Sequence, residues 1–396
     1  MNNERDDTTW ESAMSRDFDA RVRDLNEAPL DLTSVKGKAM TIRRNRRMAV
    51  AGGVLAAAAV IIPVAAIAAG NGTTVHTEPP VATSDPGPTP TEAVDTGGVE
   101  YVQGDTWHRA DGTEVTLPHD YDSAVLWDGQ LVGTRYDGEV YSTADVVDGQ
   151  GQVVDSFDTT GAVAVNDADT TLAWVGTDGQ VMTRWDGGQV SMGQVDLAAA
   201  GETIAWTVGA VTGGPDCHEA VDGCVVYLNS GLGEGSTAYD SHGIQDSPVP
   251  GALKFFDADE DGQVTALTEV ADDHTCSELV IPGADPAWGP TCDHQVQQIS
   301  PDGKYVAGLP SYFDGLGPTT ISVIDAADGH VTGQFAPEGG FIGSWAWSGD
   351  GRLVFDTYDG ASWHLMAMQP DGTIDELTDP VKGSADAGSP FTMVAG

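Results

Sequence analysis

Alternating carboxylates mark one segment of the chain, D-A-D-E-D-G at residues 257–262. Carboxylates at alternate positions of a tight turn can converge on one hard cation, and glycine permits the bend that brings them together. We therefore predict a calcium site in which Asp257, Asp259, Asp261 and Thr265 supply the ligands. The alternative is an acidic hairpin tip that holds no ion.

Two positions differ from complete calcium loops. An EF-hand loop ends on a glutamate at its twelfth position, where this chain has Thr268, and Glu269 follows one residue later. The loops of integrin-type propeller hairpins are similar and close with an aspartate at the ninth position, where this chain has Thr265. Calcium is the candidate cofactor, with fewer acidic ligands than those loops offer.

The four cysteines form two pairs that are close in sequence. The local pairing joins Cys217 to Cys224 and Cys276 to Cys292 as disulfides, although sequence alone does not choose among the three connectivities. Zinc is the alternative, because histidines stand beside the cysteines. These histidines are His218, His274 and His294. The tight C-x2-C spacing of structural zinc sites is missing, and an oxidising compartment favours disulfides.

Asp-Gly pairs recur through residues 99–396 and indicate which elements position these side chains. They include the pairs at 111–112, 128–129, 137–138, 178–179, 302–303, 350–351 and 371–372. Asp-Gly accepts the positive φ angles of tight hairpin turns, and apolar runs such as L-V-F at 353–355 supply the strands. Because this part of the chain has no pattern of a long amphipathic helix, we predict an all-β domain.

The turns are also periodic. S-P-D-G-K-Y-V-A at 300–307 and S-G-D-G-R-L-V-F at 348–355 begin 48 residues apart, and the weaker N-D-A-D-T-T-L-A-W begins at residue 166. Periods of about 40–50 residues with four strands each are typical of propeller blades. The ends, 99–118 and 388–396, would meet to build a seventh blade. The six full blades are predicted at 121–158, 161–193, 194–245, 250–295, 296–337 and 340–382.

The two strong repeats resemble the blade motif of TolB-type and WD-repeat-like β-propellers. We therefore expect a seven-bladed propeller, with a six-bladed one as the alternative. In that family the Asp-Gly turn joins inner strands, and the motif residues stabilise blades without being catalytic. The resemblance implies that Trp345, Trp347 and Trp363 pack within blades. Gly349 stands where the family usually has proline.

The sequence offers few motifs that indicate catalysis. The chain has no G-x-S-x-G nucleophile elbow, and its nine histidines are scattered. We predict no catalytic residue. The enzymatic alternative is a propeller hydrolase or lyase with a metal in its central channel, since such a site draws ligands from several blades and leaves no local motif.

A cluster of four arginines stands directly before an uncharged run, residues 48–70. The arginines are Arg43, Arg44, Arg46 and Arg47. A helix of about 22 residues is roughly 33 Å long, enough to cross a hydrocarbon core of about 30 Å. Basic residues stay on the cytoplasmic side, so we predict a single-pass membrane protein with residues 1–47 in the cytoplasm. Signal-peptide cleavage at A-I-A, residues 66–68, is the alternative, but the preceding segment exceeds an ordinary leader.

Composition changes sharply beyond the predicted span. Residues 71–98 hold five prolines and are predicted to form an extended stalk, which leads into the propeller at 99–396. From Met48 onward, the chain has seven basic and 52 acidic residues. Such a surface repels nucleic acid and attracts cations and basic partners, which excludes nucleic-acid binding by this part.

These features predict a membrane-anchored, extracytoplasmic propeller that binds a protein or a cell-envelope ligand. Its organisation resembles that of membrane-anchored propeller proteins of actinobacteria. The alternative is transmembrane signalling, in which the cytoplasmic tail binds a cytoplasmic regulator as an anti-sigma factor does. A short apolar stripe at residues 8–25 predicts a helix in that tail.

Overall fold

The structure, a computed structural model, describes nine stretches of the chain. They are residues 99–136, 142–197, 206–219, 223–230, 236–245, 249–271, 274–280, 288–313 and 317–395. The predicted features that lie outside the described residues are the tail (1–47), the arginines Arg43, Arg44, Arg46 and Arg47, the span (48–70) and the stalk (71–98). In the nine described stretches, no helix is both long enough and apolar enough to cross a membrane.

Antiparallel strands follow one another along the described stretches. The described residues open with β1 (Tyr101–Gln103), β2 (Thr106–His108) and β3 (Glu114–Thr116). The next group holds β4 (Ser123–Trp127), β5 (Gln130–Tyr136), β6 (Ser142–Val147) and β7 (Val153–Thr159). It is followed by β8 (Ala164–Val165), β9 (Leu172–Val175), β10 (Gln180–Trp185) and β11 (Gly188–Gln194). A further group holds β12 (Thr207–Thr212), β13 (Val225–Asn229), β14 (Ser236–Asp240) and β15 (Gly243–Gln245).

The second half of the chain continues this pattern. One group holds β16 (Lys254–Ala258), β17 (Val264–Val270) and β18 (Thr275–Val280). The next holds β19 (His294–Ile299), β20 (Tyr305–Pro310), β21 (Ile321–Asp325) and β22 (Val331–Phe335). The last holds β23 (Phe341–Trp347), β24 (Leu353–Tyr358), β25 (Ser362–Met368) and β26 (Ile374–Glu376), with β27 (Val381–Lys382) beside β25. The final strand is β28 (Phe391–Ala395).

The sheets are arranged as a β-propeller. Within each group, the strands are hydrogen-bonded in chain order. The final strand, β28, and the first strands of the six groups that start with β4 contact one another around a closed circuit. This circuit runs through β28, β4, β8, β12, β16, β19 and β23 and returns to β28. Repetition of small sheets around a centre in this way is the propeller architecture.

The two ends of the described chain share one sheet. β28 pairs antiparallel with β1, with Tyr101 opposite Met393 and Gln103 opposite Phe391. β1 continues into β2 and β3, so one sheet draws strands from both ends. The predicted meeting of residues 99–118 with residues 388–396 is therefore confirmed.

Hydrophobic side chains are concentrated between neighbouring sheets. In one such cluster, Ile321 of β21 packs with Ile342 of β23 and Phe355 of β24, and all three are fully buried. Trp345, Trp347 and Trp363 are also buried, which confirms their predicted role in blade packing. Their exposed fractions are 7%, 8% and 2%. Each sheet thus depends on its neighbours for its core.

Buried polar side chains also fasten one sheet to the next. Asn229 at the end of β13 accepts a hydrogen bond from the backbone N–H of Phe255 at 2.7 Å and donates to the carbonyl of the same residue at 2.9 Å. Ser277 of β18 similarly donates to the carbonyl of His294 and accepts from the N–H of Val296. These contacts satisfy backbone groups on the free edge of a first strand.

Candidate functional site

One type of turn follows the first strand in four of the sheets. Asn166, Asp259, Ser300 and Ser348 each begin such a turn, and the side-chain oxygen of each accepts a hydrogen bond from a backbone N–H four or five residues later. Three residues into each turn, φ is positive. Gly262, Gly303 and Gly351 occupy that position in three turns, and Asp169, with a φ of 57°, occupies it in the other. A small polar side chain at the first position therefore replaces backbone partners that the turn lacks.

Asp259 is such a turn residue. Its Oδ1 accepts a hydrogen bond from the backbone N–H of Gln263 at 2.7 Å, and its Oδ2 accepts one from the side-chain Nε2 of Gln263 at 2.5 Å. Burial raises the pKa of Asp259, and the hydrogen bonds from Gln263 oppose that rise. The D-E-D-G run at 259–262 thus corresponds to the S-P-D-G run at 300–303.

Asp257 lies on β16, two residues before Asp259, and its carboxylate contacts the next sheet. Its Oδ2 accepts a hydrogen bond from the backbone N–H of Ile299 at 2.8 Å, and its Oδ1 accepts one from the N–H of Ala258 at 2.9 Å. Burial, with a smaller effect from the charge of Asp259, raises the pKa of Asp257 to about 6. The carboxylate fastens β16 to β19.

Asp167 brings a third carboxylate to the same place from the β8–β9 turn. Its Oδ2 accepts a hydrogen bond from the backbone N–H of Glu260 at 3.1 Å. Although Asp167 as a residue is exposed, its carboxylate faces the neighbouring turn. Desolvation there and the charges of Asp257, Asp259 and Glu260 raise the pKa of Asp167 to about 7.

Hydrogen bonds join three turns into one surface. We call residues 166–171, 213–219 and 259–263 the acidic turn cluster. The contacts between these turns and the strand end beside them are Asn166 Nδ2 to the carbonyl of Gly213 (2.9 Å), Thr170 Oγ1 to the carbonyl of Pro215 (3.0 Å) and Thr212 Oγ1 to the carbonyl of Asp259. A disulfide between Cys217 and Cys224 closes the middle turn. The cluster is therefore a connected surface on one side of the ring.

The remaining predicted calcium ligands occupy different environments. Asp261 is exposed, whereas Thr265 is fully buried and its Oγ1 donates to the carbonyl of Asp257 at 3.5 Å. Within the described part of the chain, one group of three His, Cys, Asp or Glu side chains has ligand atoms close enough to hold an ion, and it contains none of these aspartates. Calcium binding stays a prediction, while Asp257 and Asp259 have structural roles.

The second disulfide lies in the sheet of β16, β17 and β18. Cys276 of β18 is bonded to Cys292, which lies just before β19. His274 directly precedes β18, and its ligand nitrogen lies within 4.8 Å of both sulfur atoms. His274, Cys276 and Cys292 are the one group of three metal-ligating side chains within ion-binding distance among the described residues.

Negative charge dominates the acidic turn cluster, whose one basic side chain is His218, 3.9 Å from Glu219. Its three segments contain acidic residues and no lysine or arginine. The corresponding turns elsewhere differ, because Lys304 pairs with Asp302 at 2.6 Å and Arg352 with Asp350 at 2.9 Å. Uncompensated carboxylates on one surface attract cations and basic groups.

Sequence reasoning did not assign Asp167 or Asp169 to a site. Burial and the charge of Glu100 raise the pKa of Asp169 to about 7. A signal was present, because N-D-A-D at 166–169 is the weaker member of the turn repeat. The repeat does not reveal the hydrogen-bond partner of Asp167, because that partner, Glu260, lies 93 residues away in the sequence.

The closed ring of small antiparallel sheets makes the fold a β-propeller. The chain matches no family model, and it matches no curated protein. Among solved structures, it is similar to the Dos1 propeller, with 11% identity and a TM-score of 0.45 over 76% of this chain and 95% of that one. It is also similar to the WD40 repeats of RRP9, with 10% identity and a TM-score of 0.44 over 74% of this chain and 87% of that one.

A further similarity is to the hydrazine synthase of Kuenenia stuttgartiensis. The identity is 14% and the TM-score is 0.36, with 54% of this chain covered. The chain spans 64% of the length of that protein, which is less than two thirds. At such identities these likenesses concern the fold and transfer no function.

Proposed function

We propose that this protein is a membrane-anchored, extracytoplasmic propeller of seven blades that binds a basic protein or cell-envelope ligand through the acidic turn cluster. The observation that carries the proposal is the cluster itself. Three turns from different sheets are hydrogen-bonded into one surface, and the segments of that surface contain no lysine or arginine. A positively charged partner gains most from such a surface, because complementary charge accelerates encounter and favours the correct orientation.

The rigidity of the cluster supports a binding role. Asn166 and Asp259 hold the turn backbones through their side chains, and Asp257 fastens β16 to β19. Exposed carboxylates such as those of Glu260 and Asp261 are therefore presented on a fixed support. A fixed arrangement loses less conformational entropy when a partner binds than a flexible loop does. The charge pattern of the sequence and its predicted membrane span support the anchored, extracytoplasmic placement.

Capture of the partner with matched variants tests this proposal. Full-length protein is cross-linked in its own membrane from the outer side, and adducts are compared for wild type, for Glu260→Gln with Asp261→Asn, and for the control Asp375→Asn with Asp379→Asn. All four residues are exposed, and the two pairs change net charge equally. We expect the first pair to lose the adduct and the control to retain it.

The capture experiment has two contradicting results. Equal loss in both variants would mean that net charge, and not the cluster, attracts the partner. Adducts that form from the opposite side of the membrane would contradict the proposed topology, which protease added to intact cells checks independently.

A further inference from the structure

Four side chains of metal-binding type meet beside the second disulfide. His274, Cys276 and Cys292 have ligand atoms that all lie within 4.8 Å of one another. Glu269 adds a carboxylate, with its Oε2 4.0 Å from Sγ of Cys276. Two sulfurs, one imidazole nitrogen and one carboxylate oxygen match the ligand types that zinc takes in four-coordinate sites.

The backbone holds these groups together independently of the disulfide. Ser277 and Thr291, each adjacent to one cysteine, exchange two hydrogen bonds of 2.9 and 2.8 Å. Glu269 stands directly opposite Cys276 in the pairing of β17 with β18. The backbone N–H of Ala271 donates to the carbonyl of His274 at 2.9 Å, which anchors the backbone of the residue that carries the imidazole. Reduction of the disulfide therefore leaves all four groups in place.

We propose that Glu269, His274, Cys276 and Cys292 form a redox-gated zinc site, which is closed while the disulfide is intact and binds Zn²⁺ after reduction. A sulfur in a disulfide has no thiolate charge to donate to a metal, whereas a reduced pair supplies two thiolates. In a tetrahedral zinc site with Zn–S bonds of about 2.3 Å, the sulfurs lie about 3.8 Å apart. The ligand atoms of His274, Cys276 and Cys292 lie within 4.8 Å of one another, and Oε2 of Glu269 lies 4.0 Å from Sγ of Cys276, so side-chain adjustments bring the four groups to that geometry.

The gating reaction is balanced by an external dithiol reductant. Its two thiols transfer two electrons and two protons to the Cys276–Cys292 bond, which breaks to two thiols while the reductant becomes a disulfide. Zn²⁺ then displaces the two thiol protons to solvent and binds the resulting thiolates with the neutral imidazole and the carboxylate. Cys292 is exposed, so a reductant can reach its sulfur.

The first disulfide provides an internal comparison. Cys217 and Cys224 are both buried, and the Sγ of Cys217 contacts the hydroxyl of Thr171. The neighbouring His218 has its ring stacked on Trp185, with ring centroids 4.6 Å apart. Among the described residues, no group of three metal-ligating side chains includes this pair. Reduction of the first disulfide should therefore create no zinc site.

Metal titration of the full-length protein tests the proposal. Zn²⁺ is added to oxidised protein and to protein reduced with a phosphine, and binding is followed by competition with a chromogenic chelator and by proton release. We expect reduction to add about one Zn²⁺ per chain and to release about two protons per ion at a pH where the thiols are protonated. Co²⁺ in place of Zn²⁺ should give the visible bands of a tetrahedral thiolate site.

Variants assign the ligands. Cys292→Ser should abolish the added site, and His274→Ala should weaken it by about 10-fold or more. Cys217→Ser with Cys224→Ser should retain it. If that control fails to fold, the cobalt spectrum of reduced wild type compared with Cys292→Ser decides in its place. The proposal is overturned if reduced wild type binds no additional ion, if oxidised protein binds it equally, or if Cys292→Ser leaves the bands unchanged.

Discussion

A buried carboxylate at the junction of the two chain ends should make stability depend on pH. Asp356 of β24 is fully buried. Its carboxylate accepts hydrogen bonds from the N–H and the hydroxyl of Ser344, each at 2.9 Å, and from the hydroxyl of Ser389 at 2.5 Å. Ser389 lies two residues before β28, so this carboxylate ties the closing strand to the preceding sheet. We predict that Asp356→Asn removes the pH dependence while keeping the contacts.

The magnitude follows from the pKa. Burial raises the pKa of Asp356 from 3.8 to about 6, although the serine hydrogen bonds oppose the rise. This shift corresponds to about 3 kcal/mol of free energy of unfolding. Because the pKa of Asp356 is higher in the folded state than in the unfolded state, the protonated carboxyl adds this free energy to the stability of the fold below about pH 4. The contribution is lost as the pH rises to about 6. Asparagine carries no charge, and both serine hydroxyls can donate or accept, so the variant avoids this loss.

Denaturant unfolding of full-length protein, followed by tryptophan fluorescence at pH 4 to 8, measures the effect. The free energy of unfolding of Asp356→Asn should rise relative to wild type by about 3 kcal/mol from pH 4 to pH 8. The control Asp375→Asn removes a charge from an exposed position of β26 in the same sheet and gives the background. Parallel pH curves for wild type and Asp356→Asn would refute the reasoning, because the buried carboxyl would then ionise equally in both states.

Three further predictions concern packing, a histidine and calcium. Gly133→Ala drives a Cβ into the ring of Tyr121 and should lower the free energy of unfolding by about 1–3 kcal/mol. Gly349→Ala meets no atom within 4 Å, so its melting temperature should be close to that of wild type. Burial lowers the pKa of His364, but hydrogen bonds to two carboxylates outweigh this effect and raise the pKa overall. The free energy of unfolding of His364→Gln should therefore be lower than that of wild type near pH 6 and equal to it at pH 9. A difference that is constant with pH would contradict this prediction. Calcium at fixed ionic strength should raise the melting temperature until it saturates, and Asp261→Asn should remove the shift; an equal shift with sodium would mean that screening is the cause.

Local patterns could be predicted from the sequence because the physical causes are local. Glycine after aspartate adopts positive φ in the turns at Gly303 and Gly351, and these turns repeat with the strands that flank them. The D-x-D-x-D-G pattern is compatible with a calcium loop and with an acidic hairpin tip. Asp259 uses its carboxylate within its own turn, which a motif shared by calcium loops and hairpins does not distinguish. Contacts between sheets, such as Asp167 with Glu260, depend on the closed ring and have no signature in either segment.

Direct binding of a lysine-rich peptide tests most closely whether the acidic turn cluster is a recognition surface. The dissociation constant is measured by fluorescence anisotropy at several salt concentrations for full-length wild type, Glu260→Gln with Asp261→Asn, and Asp375→Asn with Asp379→Asn. We expect saturable binding that weakens with salt, is lost in the first variant and is retained in the second. Equal binding by both variants would contradict the central claim, because attraction would then arise from the net charge of the chain.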